Sequence, residues 1–296
     1  MIGVELLESC AIAVSVDDSG RVLARAMADQ SPSVGAAAES ALDQVTQGQA
    51  INGSIGVASP NPKSPAVVDA AGAIAMRGRT PPLAQEIAAS GTAAALAEAW
   101  IGAGRGVGDV VYFAVGEHTS AGIVRGGVPA TGSRGRAASV AWLSLNPVER
   151  EDYRKIGCLE AEAAAAGIVR RLIWRIKAGD RSHIQDVVKD DLSAITIQQV
   201  LDAARAGDGV SISVVRDTAK YLGMAAANLV VVVDPEMLIL GGIMATAADL
   251  LLDQIRAEIT RRLPRVMFEA LAISTATLGA DAAAIGAARL AADARR

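Results

Sequence analysis

The chain has 296 residues, room for two domains of ordinary size. Apolar residues make up 51% and aromatics only 3%, so the expected core packs small side chains on closely approaching backbones. With 28 basic against 32 acidic residues the formal charge is -4, which lacks the basic excess of a general nucleic-acid binder; no nucleic-acid partner is expected. Two distant cysteines, Cys10 and Cys158, make no disulfide framework and point to a reduced, cytoplasmic setting. The opening MIGVELLESC lacks the basic start and long apolar run of a signal peptide. The run Leu229 to Val233 is cut by Asp234-Pro235 and is too short to cross a bilayer, so no membrane partner is expected either.

Val4–Leu7, Ala11–Val16 and Arg21–Ala24 read as strands, the last two joined by the turn Asp17-Asp18-Ser19-Gly20. A helix follows over Pro32 to Gly48, with Ala38, Leu42 and Val45 at helical spacing. Ile55–Ala58 is a short strand, and residues 59–82 read as loop with a short strand near Ile74. Pro82 to Gly102 is helical with a break at Ser90-Gly91-Thr92, where Thr92 is the expected N-cap. Gly102 to Gly108 is the expected hinge. Val110–Val115 and Ala121–Val124 form a hairpin turning on Gly126-Gly127, with the polar loop Glu117-His118-Thr119-Ser120 at the end of its first strand. It repeats the order of the N-terminal hairpin and suggests a weak internal duplication. A long helix over Gly157 to Ala178, helices over Ile195–Ala206 and Val210–Asn228, and strands at Val230–Val233 and Met237–Leu240 follow. The chain closes with a helix over Ala247–Leu263, a strand over Ile273–Thr277 and a helix over Ala280–Arg295. Helices alternating with strands indicate an α/β fold.

The stretch AARAGDGVSISVVRDTAKYLGMAAANLVVVVDPEMLILGG and the later LGADAAAIGAARLA resemble the ROK family of sugar kinases and sugar-responsive repressors. The resemblance implies a two-domain, actin-like (duplicated ribonuclease H-like) sugar-kinase fold with an interdomain cleft. It divides the chain into an N-terminal domain, 1–107, completed by the last helix, 282–296, and a C-terminal domain, 108–281. It also implies a dimer. Gly241 and Gly242 match glycines beside the nucleotide's adenosine, although turn geometry and helix–strand packing are the simpler account of them.

The phosphate-handling motifs depart from the family. Where a kinase has D-x-G-G-T, this chain has Glu5, Leu6, Leu7, Glu8 and Ser9. Leu7 and Glu8 deny phosphate oxygens the backbone approach that glycines give. At ~4 Å and an effective dielectric of ~20, the Glu8 charge alone costs about 4 kcal/mol. Of the second loop, G-T-G-x-G-G-G, only Gly116 and Gly122 remain around Glu117, His118, Thr119, Ser120 and Ala121. Counting back from Glu98 puts Ser90 at the catalytic Asp and Thr92 at a following Asn of the kinase motif. A serine without a partner base does not take a proton near neutral pH. Ser139 and Trp142 stand where the family has a Glu and a zinc-binding His, and Trp142 is read as apolar fill. Glu151 and Tyr153 replace two zinc cysteines, leaving Cys158. Glu160 matches a sugar-contacting Glu; a first-turn glutamate stabilised by its helix dipole accounts for it equally well.

The expected function is a non-catalytic ROK-fold protein, a pseudokinase, that binds a small metabolite such as a sugar or serves as an assembly or regulatory partner. ATP with magnesium and zinc are expected not to bind. Ser90, Thr92, Ser139 and Glu160 are the candidate ligand-binding residues, and no winged-helix segment precedes Met1. The alternative is an enzyme with a rebuilt cleft that uses Glu117 and His118 for acid–base or nucleophilic chemistry. A divergent ATP-dependent sugar kinase, with Glu5 holding magnesium, is the third reading. His183 is read as structural.

Overall fold

The strands of the N-terminal hairpin are apolar at every second position, and the duplicated pattern becomes two sheets of the same design. A computed structural model describes residues 1–29, 32–49, 51, 53, 55–77 and 87–294. In chain order the first elements are β1 (Ile2–Leu6), β2 (Cys10–Val16), β3 (Val22–Asp29), α1 (Val34–Thr46), β4 (Ile55–Ser59), α2 (Pro65–Arg77), β5 (Ala88–Ala89) and α3 (Ser90–Ile101). There follow β6 (Val110–Val115), β7 (Thr119–Arg125), β8 (Val128–Pro129), α4 (Glu151–Ile156), α5 (Cys158–Ala163), α6 (Ala165–Lys177), α7 (Ile184–Val187), α8 (Ile197–Arg205) and α9 (Gly209–Val233). The chain ends with β9 (Met237–Gly242), α10 (Ile243–Thr246), α11 (Ala248–Arg262), α12 (Arg265–Ala270), β10 (Ala272–Thr275) and α13 (Ala282–Asp293).

The sheets run β3-β2-β1-β4-β5 and β10-β9-β6-β7-β8, so each is a three-strand meander with two further strands added beside its first strand. In the first, β1 pairs antiparallel with β2 and parallel with β4. Gly126 and Gly127 both take positive φ (56° and 78°), the signature of the tight β7–β8 turn. Contacts divide the chain into one unit of Met1–Tyr112, Ala121–Ala138 and Ala276–Arg296, and another of Phe113–Ser120 and Ser139–Thr275.

Within the first unit, alternation along β1 sends Val4 and Leu6 toward α1 and α2, where they meet Ala38, Leu42, Val67 and Ile74. The other face carries α13 and α3. A Cβ on Gly3 or Gly56 would collide with carbonyl oxygens of α13, and one on Gly286 with the carbonyl of Ala93 in α3. The small residues thus let a helix lie directly on the sheet and a second helix lie on the first. Glu98 of α3, 0% exposed, ties this layer down by accepting from the backbone N–H groups of Ala103 (2.8 Å), Thr277 (2.9 Å) and Leu278 (2.9 Å).

Four local expectations change. Residues 65–77 form a helix rather than a loop with a strand near Ile74: Val67, Ala70, Ala71 and Ile74 make one buried helical stripe, with Pro65 at the first position where its missing N–H costs nothing. Val230–Val233 continues α9 although Val231 and Val232 are exposed, because extending a helix already formed adds a hydrogen bond per residue and outweighs the strand preference of valine; Asp234, in the left-handed region (φ 50°), ends the helix. The long helix expected over Gly157 to Ala178 is two, broken at the extended Ala164, where the Ala165 N–H turns away to the Gly116 carbonyl at 2.9 Å. Thr92 is not an N-cap: α3 starts at Ser90, with Ala89 as the capping position. The part of that helical reading over residues 82–86 lies outside the described residues. The start of α8 agrees with expectation, with Thr196 and Gln199 forming a full capping box.

Two glycine substitutions separate steric demand from backbone entropy. Gly56→Ala places its Cβ on the Ala287 carbonyl and is expected to destabilise by ~3 kcal/mol or more. Gly72→Ala, within α2 and facing open space, is expected to stabilise by ~0.5–1 kcal/mol. Urea unfolding of both variants checks the pair.

Candidate functional site

The sequence-derived candidates fall into two clusters, one in each unit. In the first unit Glu5, on β1, is only 7% exposed and lies on the α3 side of the sheet. Burial pushes its carboxyl up to about 7; the nearby Ser90 hydroxyl pulls it down, and the Asp281 charge adds to the rise. Ser90 is the first residue of α3, and its buried Oγ completes no hydrogen bond of ordinary geometry. The pair is therefore close enough to interact electrostatically without a formed bond. Thr92 is buried in the same helical turn. A carboxyl protonated over much of the range below neutral, beside a serine, supplies a weak base in a water-poor place.

In the second unit the loop between β6 and β7 is locked onto α5. With Glu160 ionised, His118 donates from Nδ1 to its Oε1 at 2.8 Å. Thr119 donates to Oε2 from its backbone N–H at 2.7 Å and from its hydroxyl at 2.6 Å. Burial raises the Glu160 carboxyl, but the donors from His118 and Thr119 outweigh it and hold it below the usual carboxylate range. The His118 side chain is 39% exposed, while Glu117 beside it is exposed. A carboxylate that orients an imidazole is an arrangement able to position a proton. Ser139 is exposed, just before the turn Val140–Trp142.

Gly241 and Gly242 close β9. Gly242 has φ 60°, and a Cβ there would strike the Val115 carbonyl, so backbone packing alone demands a glycine.

The residues at the expected zinc position do not fit that metal. Tyr153 donates its hydroxyl to Glu162, which also binds Arg171 at 2.7 Å and Arg150 at 3.2 Å. Glu151 pairs with Lys155 at 2.7 Å, and Cys158 brings one buried thiol. Among the described residues no group of three potential metal ligands forms. Trp142 is 58% exposed, which corrects its reading as apolar fill. The central residue here, Glu162, escaped sequence reading: only its E-A-E spacing from Glu160 marks it, and its partners Arg150, Tyr153, Arg171 and the Arg171-bound Thr218 come from three segments.

The ROK family pattern matches residues 43–294. The chain belongs to the ROK family. It is 35% identical to a glucokinase of Halalkalibacterium halodurans over 196 residues, 65% of this chain and 59% of that protein. It is 29% identical over 164 residues to the DNA-binding transcriptional dual regulator NagC of Escherichia coli, covering 55% of this chain and 39% of that one. The chain thus matches less than two thirds of the length of these curated relatives. Among solved structures it resembles a ROK family glucokinase from Streptomyces griseus in complex with glucose and AMPPNP, with TM-score 0.80, 24% identity and 99% of both chains covered. A ROK hexokinase from Thermus thermophilus gives TM-score 0.78 at 24% identity, covering 100% of this chain and 99% of that one. Both likenesses establish the actin-like sugar-kinase fold. No helix among the described residues is long and apolar enough to cross a membrane.

The relatives correct one expectation. Net charge excluded nucleic acid as a partner, yet ROK repressors, including a DNA-binding regulator, stand among the relatives. Net charge sums over a whole chain and does not speak against a family whose members include DNA binders.

Two pH dependences follow. The Glu5 carboxyl is raised from 4.5 to about 7 on folding, so its contribution to stability is present below pH ~4.5 and is lost as pH rises through ~7. At 1.36 kcal/mol per unit the loss is on the order of 3 kcal/mol, and Glu5→Gln is expected to remove it, read as a flatter melting-temperature profile from pH 5 to 8. Glu160 is lowered, so its contribution is present above the ordinary carboxylate range and lost as pH falls through its folded value. Thr119→Val is expected to cost ~1.5–3 kcal/mol at pH 7, with the gap to wild type closing in acid.

Proposed function

We propose that this chain is a ROK-family protein that does not transfer phosphoryl groups and acts instead by binding a small metabolite such as a sugar, or as a regulatory or assembly partner. The observation that carries the reading is Ser90. It occupies the position matched to the kinase base, and its hydroxyl is buried. A hydroxyl so placed does not deprotonate a sugar at neutral pH. The reading is supported further by Glu160, whose two oxygens are taken by His118 and Thr119 of the loop that would otherwise approach a phosphate. Leu7 and Glu8, in place of glycines, argue against ATP and magnesium as cofactors, and the donor set around Cys158 argues against zinc.

One observation favours a second reading. The 2.8 Å contact of His118 with a buried, charged Glu160 is the geometry of an oriented general base, and an enzyme of other chemistry would use it, with Glu117 alongside.

Calorimetry with ATP and magnesium, run beside a sugar-dependent ADP-release assay, tests the proposal. No heat at millimolar ATP and no ADP release are expected. Micromolar binding with sugar-dependent turnover would replace the proposal with a divergent kinase. Turnover of another kind that disappears in His118→Ala would favour the second reading.

A further inference from the structure

The two sheets have outer edges of very different length. β5 and β8 are two residues long and β10 is four, so these edges offer little backbone to an incoming strand. β3 is eight residues long and ends the first sheet, with β2 on its inner side and no further strand beyond it among the described residues. It contains no proline. The irregularity in its pairing with β2 falls at its start, where β2 passes from Ser15 to Val16. From Ala24 to Asp29 the strand is regular, so its outer row of N–H and C=O groups runs unbroken.

The side chains of that regular stretch have an order of their own. Ala24, Ala26 and Ala28 lie on the α1 side. On the opposite side the register sets Arg25 beside Val14, Met27 beside Ile12 and Asp29 beside Cys10. There α13 packs over β1, β2 and β4, while Met27 is 52% exposed and Arg25 and Asp29 are exposed with it. Arg25 gives Nε to Asp281 at 2.7 Å, and a guanidinium has further N–H groups to offer.

The run arginine, alanine, methionine, alanine, aspartate is its own complement when reversed. An antiparallel second copy centred on Met27 sets each Arg25 opposite an Asp29, each Ala26 opposite an Ala28, and methionine against methionine at the axis. Residues opposite each other in an antiparallel pair share a face, so a two-fold axis normal to the sheet keeps these partners matched. Opposite charges and apolar pairs in such positions stabilise the ladder. A slip of two residues either way sets methionine against a charge, which specifies the register. A foreign strand would require no such symmetry, whereas an isologous contact between two copies does.

We propose that β3 is a docking edge for a second copy of this chain, the two strands pairing antiparallel about Met27 and joining their first sheets into one. The edge shares no residue with the Glu5–Ser90 or His118–Glu160 clusters, so it stands whether or not the chain transfers phosphate.

Sedimentation velocity on the full chain over a range of concentrations reads the association. Three variants at exposed positions probe it, with circular dichroism checking that each keeps the wild-type fold: Asp29→Arg, Arg25→Asp and Met27→Lys. The first sets arginine against arginine, the second aspartate against aspartate, and the third places two ammonium groups at the axis. Each is expected to weaken self-association at least tenfold, taking a dimer to monomer or, where another surface also pairs, a tetramer to dimer. An equimolar mixture of Asp29→Arg and Arg25→Asp is expected to recover the lost step, because every charge again meets its opposite. A dimer alone would not establish this edge; recovery on mixing does, since damage to either fold cannot produce it. If Arg25→Asp fails to fold, Met27→Lys and Asp29→Arg still decide between this edge and any other surface. The proposal is overturned by a wild-type chain that stays monomeric at submillimolar concentration, by an association that Met27→Lys and Asp29→Arg leave unchanged, or by folded charge variants that stay apart when mixed.

Discussion

The first unit depends on backbone lying against backbone. Gly3 and Gly56 put bare Cα atoms from two adjacent parallel strands under the carbonyls of α13, and Gly286 does the same between α13 and α3. Ala97, Ala284 and Ala288 share the remaining contact with Ile12, Val14, Val16 and Ile285, and at the glycines the layers approach more closely than a larger side chain would allow. This explains the composition: an interior of small residues gains its dispersion energy from many close atoms rather than from large side chains. It also explains why the final helix, far away in sequence, is an inseparable layer of the N-terminal sheet.

Against that frame the buried glutamates divide by what surrounds them. Glu98 is surrounded by backbone donors and closes the end of the α3 layer. Glu160 gathers donors from one loop and stays charged. Glu162 faces two arginines and a tyrosine, which tie α4 to α5 and α6. Glu5 has only the imperfectly placed Ser90, so burial dominates and its carboxyl rises. One residue type yields a structural anchor, a loop lock, an ion-pair hub and a neutral acid because the donors available at each place differ.

Much of the architecture was legible in local pattern. The β1–β3 and β6–β8 meanders are short apolar runs punctuated by glycine or aspartate turns, and these read directly as strands. Where local preference and tertiary demand pulled apart, reading failed. Val230 to Val233 has strand composition but completes a helix already nucleated and packed upstream. Residues 65–77 mix proline, glycine and alanine, as loops do, yet a stripe of Val67, Ala70, Ala71 and Ile74 finds α1 to pack against. Of the candidate site, Glu160 and His118 were each singled out from sequence, but their 2.8 Å contact joins positions 42 residues apart.

The amino-acid sequence by itself determined the α/β class, the duplicated hairpins and the family. These are properties of residue identity and of short-range spacing, which act before any distant contact forms. The tertiary structure alone decided the state of each carboxyl, the arginine–tyrosine cluster around Glu162 and the exposure of Trp142. Each of these depends on which distant donor, charge or void arrives at a given side chain. Hydrogen bonding and desolvation are set by the three-dimensional neighbourhood, and sequence separation carries no measure of it.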